Sequence, residues 1–263
     1  MNDAKTPASG RLLAYRDPQF LDHDDARPVR ILSEYLAPLA AFRRAGIHDT
    51  VVFLGSARIR PEGPLGRYHE DARRLARLLT EWAATLPSEH QRFVVCSGGA
   101  GGIMEAASRG AVEGGGRAIG LNIGLPREQR PNPYVPTELS FEFHYFFMRK
   151  LWFAHLARAV VVFPGGFGTL DELFEILTLA QTRKLDRAIF VLLYGPGYWN
   201  EIVDFEALAR HGCIARADLD LLHVADDVEG ALRMLKEGIE AGGDGTSPAF
   251  AECRTAGEGP PCP

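Results

Sequence analysis

Seven short apolar runs, each closed by glycine, proline or polar residues and separated by amphipathic stretches, constrain the fold of this chain more than any other feature. Thr50-Val51-Val52-Phe53-Leu54 reads as a buried strand stopped by Gly55-Ser56, and Leu75, Leu78, Leu79 and Trp82 mark a helix after it. Phe93 to Cys96 is a second strand, followed by Gly98-Gly99-Ala100-Gly101-Gly102 and a helix through Met104 and Ala111. Ala118 to Leu121 is a third, leading into a proline-rich loop over 122–136. Glu138 to Phe143 is weaker and precedes a helix around Tyr145 to Leu156, whereas Ala159 to Phe163 is the clearest strand of all. A helix from Thr169 to about Arg183, a strand Ile189 to Tyr194, a helix after Tyr198, a strand Leu221 to Val224 and a helix Val228 to Glu240 complete the alternation. Such a pattern predicts an α/β fold, a doubly wound, Rossmann-like, mainly parallel sheet with helices on both faces.

This unit is expected over residues 49–240. Ahead of it, residues 1–48 form an arm and a helix, with Ile31, Leu32, Tyr35, Leu36 and Leu39 at helical spacing to cap the core or a partner subunit. The arm itself, to about residue 25, is expected to be partly ordered at best. After Ala241 the Gly/Pro/Ser-rich stretch 241–263 is expected to be a disordered tail. A net charge of -5 gives no basic field for a nucleic-acid polymer, so any phosphate bound is small and held locally. Cys96, Cys213, Cys253 and Cys262 lack metal-ligand spacing, and no run is long enough to span a membrane. A cytoplasmic, soluble protein without metal or cofactor is the expectation.

In open α/β sheets ligands sit beyond the carboxyl ends of the strands. The loop Pro164-Gly165-Gly166-Phe167-Gly168-Thr169 lets the backbone approach a ligand, and the helix beginning near Thr169 offers unpaired N–H groups to a phosphate. A tight strand-to-helix turn is the plainer alternative. Gly98 to Gly102 lacks the third glycine and the later acidic residue of a dinucleotide site, which leaves a second backbone wall of the same pocket or a structural turn. The ATP- and GTP-binding loop pattern is absent.

Two charged residues stand out. Glu172 follows Thr169 by three positions, a spacing that suits either a capping box or a carboxylate within reach of the ribose attached to the bound phosphate. Arg149 lies in an almost wholly apolar helix, after Tyr145-Phe146-Phe147-Met148 and before Leu151-Trp152-Phe153. A buried guanidinium there needs an anionic or polar partner, and a structural ion pair or a head reaching water would also satisfy it. Lys150, His144 and His155 share the helix and have ordinary solvated or core roles open to them.

The string Pro-Gly-Gly-x-Gly-Thr-x-x-Glu at 164–172, preceded by Met148-Arg149-Lys150, resembles the LONELY GUY (LOG) family. Those proteins are cytokinin riboside 5′-monophosphate phosphoribohydrolases, often labelled lysine decarboxylases. The similarity runs from about Val51 to Ala180 and takes in Gly55-Ser56, Ser97-Gly98-Gly99, Gly101 to Glu105 and the loop Leu125 to Gln129. The resemblance implies a nucleoside 5′-monophosphate substrate held by Gly165, Gly166, Gly168 and Thr169, with Gly55, Ser56, Ser97, Gly98, Gly99, Met148 and Lys150 around it. It implies Arg149 and Glu172 as the catalytic pair, no cofactor, and a homodimer or larger homo-oligomer. The N-terminal helix and the aromatic stretch His144 to Phe147 depart from the more compact plant enzymes. Two rival readings remain: a non-enzymatic nucleotide- or cofactor-binding protein on the same scaffold, and a decarboxylase, which would need a Schiff-base lysine for pyridoxal phosphate.

Overall fold

The computed structural model describes residues 12–88, 90–124, 131–185 and 187–241. The loop Leu125 to Gln129 and the tail beyond 241 lie outside them. Among the described residues the chain builds one seven-stranded, all-parallel sheet from β1 (Thr50–Leu54), β2 (Val94–Ser97), β3 (Ala118–Ile123), β4 (Ser140–Phe143), β5 (Ala157–Val162), β6 (Phe190–Tyr194) and β7 (Leu222–Ala225). Their order is β4-β3-β2-β1-β5-β6-β7. Every residue of β1 and of β5 is buried, the continuous burial expected of parallel strands covered on both faces.

Side chains alternate across the sheet with the two-residue period of a strand. Val52, Leu54, Val160 and Val162 face one core layer, whereas Val51, Phe53, Ala159 and Val161 face the other. The first layer is covered by α2 (Arg27–Arg44), α5 (Phe146–His155), α6 (Phe167–Gln181) and Trp199 of α7 (Pro196–Ile202). The second is covered by α3 (Gly66–Ala83), α4 (Ile103–Glu113) and α9 (Val228–Ala241). Of two short helices, α8 (Phe205–Arg210) packs on the first layer through Phe205, and α1 (Pro18–Asp22) adds no residue to either.

The N-terminal helix α2 packs on this core through Tyr35, Leu39 and Phe42, and leaves Val29, Leu32 and Leu36 exposed. Tyr35 stacks on Trp152 of α5 with ring centroids 5.4 Å apart. The carboxylate of Glu34 accepts hydrogen bonds from the backbone N–H groups of His144 (2.7 Å) and Tyr145 (3.2 Å), at the start of α5. An acidic side chain from α2 therefore fixes the turn that leads into the helix carrying Arg149. Ahead of α2, the described part of the arm forms α1 and two short 3-10 turns.

Two helix starts differ from expectation. The helix expected from Thr169 begins at Phe167, with Gly166 at its N-cap. The helix expected after Tyr198 begins at Pro196, because Gly195 turns the chain through φ 90° and proline suits the first helical position.

Candidate active site

The sheet order creates the crevice. From β1 the chain moves outward through β2, β3 and β4, then returns by α5 to β5 on the other side of β1. The loops after β1 and β5 thus diverge in opposite directions at a topological switch point. They remain stitched together: Phe163 N–H donates to Leu54 O at 2.9 Å, and Ser56 N–H donates to Pro164 O at 3.0 Å. A cleft of about 330 Å³ opens above this seam, lined on one side by Gly55, Ser56, Ala57 and Arg58 and on the other by Gly166, Gly168, Thr169 and Glu172.

The glycine loop gives α6 a bare N-terminus. Gly166 has no side chain with which to cap the helix, and the first intrahelical bond runs from Leu170 N–H to Gly166 O. The N–H groups of Phe167, Gly168 and Thr169 precede it and have no partner within the helix, so they and the helix dipole suit an anion. A methyl group at Gly166 or Gly168 would meet no atom within 4 Å, whereas one at Gly165 would lie 2.1 Å from Thr169 Oγ1. Gly165 is therefore required by packing, and Gly166 and Gly168 keep the cleft open. Tyr198 pins the loop from α7, its hydroxyl donating to Gly165 O at 2.7 Å.

With Thr169 inside α6, the capping-box reading of Glu172 is overturned, because that motif needs threonine at the N-cap. Glu172 instead accepts a hydrogen bond at Oε1 from Arg149 Nη2, 2.5 Å away. Both side chains are nearly buried, 12% and 11% exposed, so their charges meet in a medium where an unpaired carboxylate would be costly. The Arg149 guanidinium also lies between the rings of Phe146 (5.4 Å) and Phe153 (5.6 Å), and its buried Nε makes no hydrogen bond. Burial pushes the Glu172 carboxyl up to about 7; Arg149 and Lys150 oppose the rise, and Asp171 and Glu175 reinforce it. The carboxyl is thus poised between its two protonation states near neutral pH.

Eight of the thirteen residues singled out from the sequence line the cleft: Arg149, Glu172, Gly166, Gly168, Thr169, Gly55, Ser56 and Gly98. The other five stand behind it. Ser97 is buried and its Oγ accepts from Gly99 N–H at 3.2 Å, fixing the second glycine loop, while Gly99 holds φ 71° against Asn122. Met148 is a core residue, and Gly165 packs on Thr169. Lys150 turns toward α6, where its Nζ meets Asp171 Oδ1 at 2.8 Å and Glu175 Oε2 at 2.9 Å. Sequence reasoning missed Arg58 and Phe146, which line the cleft with a cation and a half-exposed ring. Gly55-Ser56-x-Arg58 was the available signal, because a cation just after a strand-ending glycine is carried to the same mouth as the loop.

Among the described residues no group of His, Cys, Asp and Glu could hold a metal ion, and no helix is long and apolar enough to cross a membrane. Cys96 lies buried beneath the site, and burial, reinforced by Glu172, raises its thiol far above the ordinary range. It is no nucleophile.

Residues 104–235 match the protein family described as "Possible lysine decarboxylase". The probable cytokinin riboside 5′-monophosphate phosphoribohydrolase LOG4 of Oryza sativa subsp. japonica is 30% identical over 166 residues, 60% of this chain and 70% of that protein. The rice protein LOGL5, with the same probable activity, is 34% identical over 120 residues, 45% of this chain and 47% of that one. The cytokinin riboside 5′-monophosphate phosphoribohydrolase LOG7 of Arabidopsis thaliana is 29% identical over 189 residues, 71% of this chain and 80% of that one. Among solved structures, TM1055 superposes with a TM-score of 0.47 at 23% identity, over 72% of this chain and 99% of that one. The Moco carrier protein of Chlamydomonas reinhardtii does so with 0.48 at 22%, over 73% and 99%.

Proposed function

Since the chain belongs to the LONELY GUY (LOG) family, we propose that it hydrolyses the N-glycosidic bond of a nucleoside 5′-monophosphate, releasing the free base and ribose 5-phosphate. The substrate is AMP or an N6-modified AMP such as a cytokinin riboside monophosphate. One observation carries the reading: the bare N-terminus of α6 and the Arg149–Glu172 pair open into the same cleft.

The N–H groups of Phe167, Gly168 and Thr169 receive the 5′-phosphate. Glu172 lies five residues on from Phe167, roughly 7–8 Å along the helix axis, a spacing that suits a carboxylate beside the ribose. Cleavage of the bond between sugar and base builds positive charge on the sugar, which a nearby carboxylate stabilises. In its ionised form Glu172 also takes a proton from the attacking water. Arg149 holds the carboxylate in place, and Phe146 offers an exposed ring to the base.

A decarboxylase reading fits these residues poorly. The Schiff base to pyridoxal phosphate needs a lysine that can shed its proton. Burial, which would lower the Lys150 pKa, is outweighed by Asp171 and Glu175, which hold the ammonium above its ordinary range. The family resemblance also carries the chain to a homodimer or larger homo-oligomer, for which α2 and α5 leave Leu32, Leu36, Phe147 and Leu151 exposed; light scattering in solution measures this.

The deciding experiment incubates the purified protein with AMP and with an N6-modified AMP and follows free base and ribose 5-phosphate. Release is expected, with loss of turnover but retention of mononucleotide binding in Glu172→Gln. Binding without release by the unmodified protein would refute hydrolysis and favour a nucleotide-binding role.

A further inference from the structure

Beneath the proposed site lies a second, much smaller cavity of about 10 Å³, the room that a single water molecule needs. Its walls are the apolar side chains of Val52, Leu54, Phe153, Val160 and Ile176, and three charged groups: Lys150, Glu172 and Glu175. Glu172 and Glu175 are three residues apart on α6, and side chains at that spacing are neighbours on one helix face. Lys150 Nζ lies 2.9 Å from Glu175 Oε2 and 2.8 Å from Asp171 Oδ1 and so holds both carboxylates. Arg149 is engaged by Glu172.

Three carboxylates (Asp171, Glu172 and Glu175) therefore face two cations, Arg149 and Lys150. Asp171 is 54% exposed and keeps its own hydration, so the excess negative charge falls on the two glutamates flanking the cavity. The negative charge of Glu175 across this small, largely apolar cavity therefore disfavours ionisation of Glu172.

We propose that Glu175 is a positioning residue for Glu172: held by Lys150, its carboxylate faces Glu172 across a cavity with room for a single water molecule, and through that cavity it sets how readily Glu172 gives up its proton. The inference rests on the reading of Glu172 as the group that activates water. It gives the site a means of setting the pH at which Glu172 becomes free to do so. Other charged or titratable groups facing Glu172 are Arg149 from α5, Asp171 from α6, Arg58 across the cleft from the loop after β1, and the neutral Cys96 thiol from β2; β1 and β5 contribute only apolar side chains to the small cavity. Glu175 itself is about one third exposed.

The test titrates 13C-labelled glutamate carboxyls by NMR, with the Glu172 signal assigned from Glu172→Gln, and compares the result with the pH profile of kcat/KM. Glu175→Gln removes the neighbouring charge at constant shape and is expected to lower the Glu172 midpoint by about half a unit to one unit. Lys150→Met is expected to raise it by a similar amount. Asp171→Asn, at a more hydrated position, should lower it less than Glu175→Gln. The acid limb of kcat/KM should move with the carboxyl in each case, a response that mere loosening of the helix pair would not produce. An unmoved Glu172 midpoint in Glu175→Gln overturns the proposal, as do shifts of the same sign in the glutamate and lysine variants. A fixed acid limb above a moving carboxyl also overturns it. If the carboxyl moves as expected while no nucleotide is hydrolysed, the coupling stands and the hydrolase reading fails.

Discussion

Replacing Glu172 by glutamine should make the folded protein gain stability relative to the unmodified chain as pH rises. The reason is proton linkage. The Glu172 carboxyl titrates at about 7 in the fold against an ordinary 4.5, so between these values the folded state binds more protons than the unfolded state. Stability associated with this group is fully present below pH 4.5 and is lost as pH rises through 7. A rise from 4.5 to about 7 corresponds to about 3 kcal/mol at 1.36 kcal/mol per pKa unit. Because the side chain is only 12% exposed, solvent screening takes little from that figure.

Glutamine keeps the shape and an acceptor for Arg149 but has nothing to titrate. The constant effect of the substitution cancels when the same pair of proteins is compared across pH. Urea unfolding of both at pH 4.5, 6, 7 and 8 should therefore show their stability difference moving by about 3 kcal/mol in favour of the variant. A difference that is flat with pH, or that moves the other way, would refute the picture of a carboxyl held against its charge by burial.

The glycine loop at the start of α6 and its supports give further expected outcomes. Gly168→Ala places a methyl group in open space, so it should preserve or raise stability, by up to about 1 kcal/mol, and weaken mononucleotide binding by calorimetry at least tenfold. Gly165→Ala, which drives a Cβ to 2.1 Å from Thr169 Oγ1, should lose stability in the same assays. Tyr198→Phe deletes the hydroxyl that donates to Gly165 O; a loss of about 1 kcal/mol is expected, with KM for the phosphorylated substrate rising more than kcat falls. Glu34→Ala strips the acceptor from two N–H groups at the start of α5, which should cost about 1–2 kcal/mol and reduce turnover through Arg149, measured by melting and steady-state kinetics.

Much of this architecture was legible in the chain. Strands β1 and β5, buried on both faces, are written as unbroken apolar runs, and Pro164-Gly165-Gly166 announces the turn into a helix because few other residues permit so close a backbone approach. The same local signals misplaced the start of α6 by two residues, since Thr-x-x-Glu suits a capping box whether or not the threonine stands at the cap. They singled out Arg149 but could not say where its neighbours Met148 and Lys150 point. Consecutive helix positions point about 100° apart, so the fold sends Met148 into the core, Arg149 to Glu172 and Lys150 to Asp171 and Glu175.

By itself the sequence determined the class of fold, the parallel sheet and the glycine loop that opens α6, because hydrophobic periodicity and glycine geometry act over a few residues at a time. Only the tertiary structure decided that Arg149 meets Glu172 across two helices, that Arg58 and Phe146 enter the same cleft, and that Glu175 and Lys150 close a small cavity behind it. Those contacts join residues far apart in the chain, and their strength comes from burial, which exists only once the layers have packed.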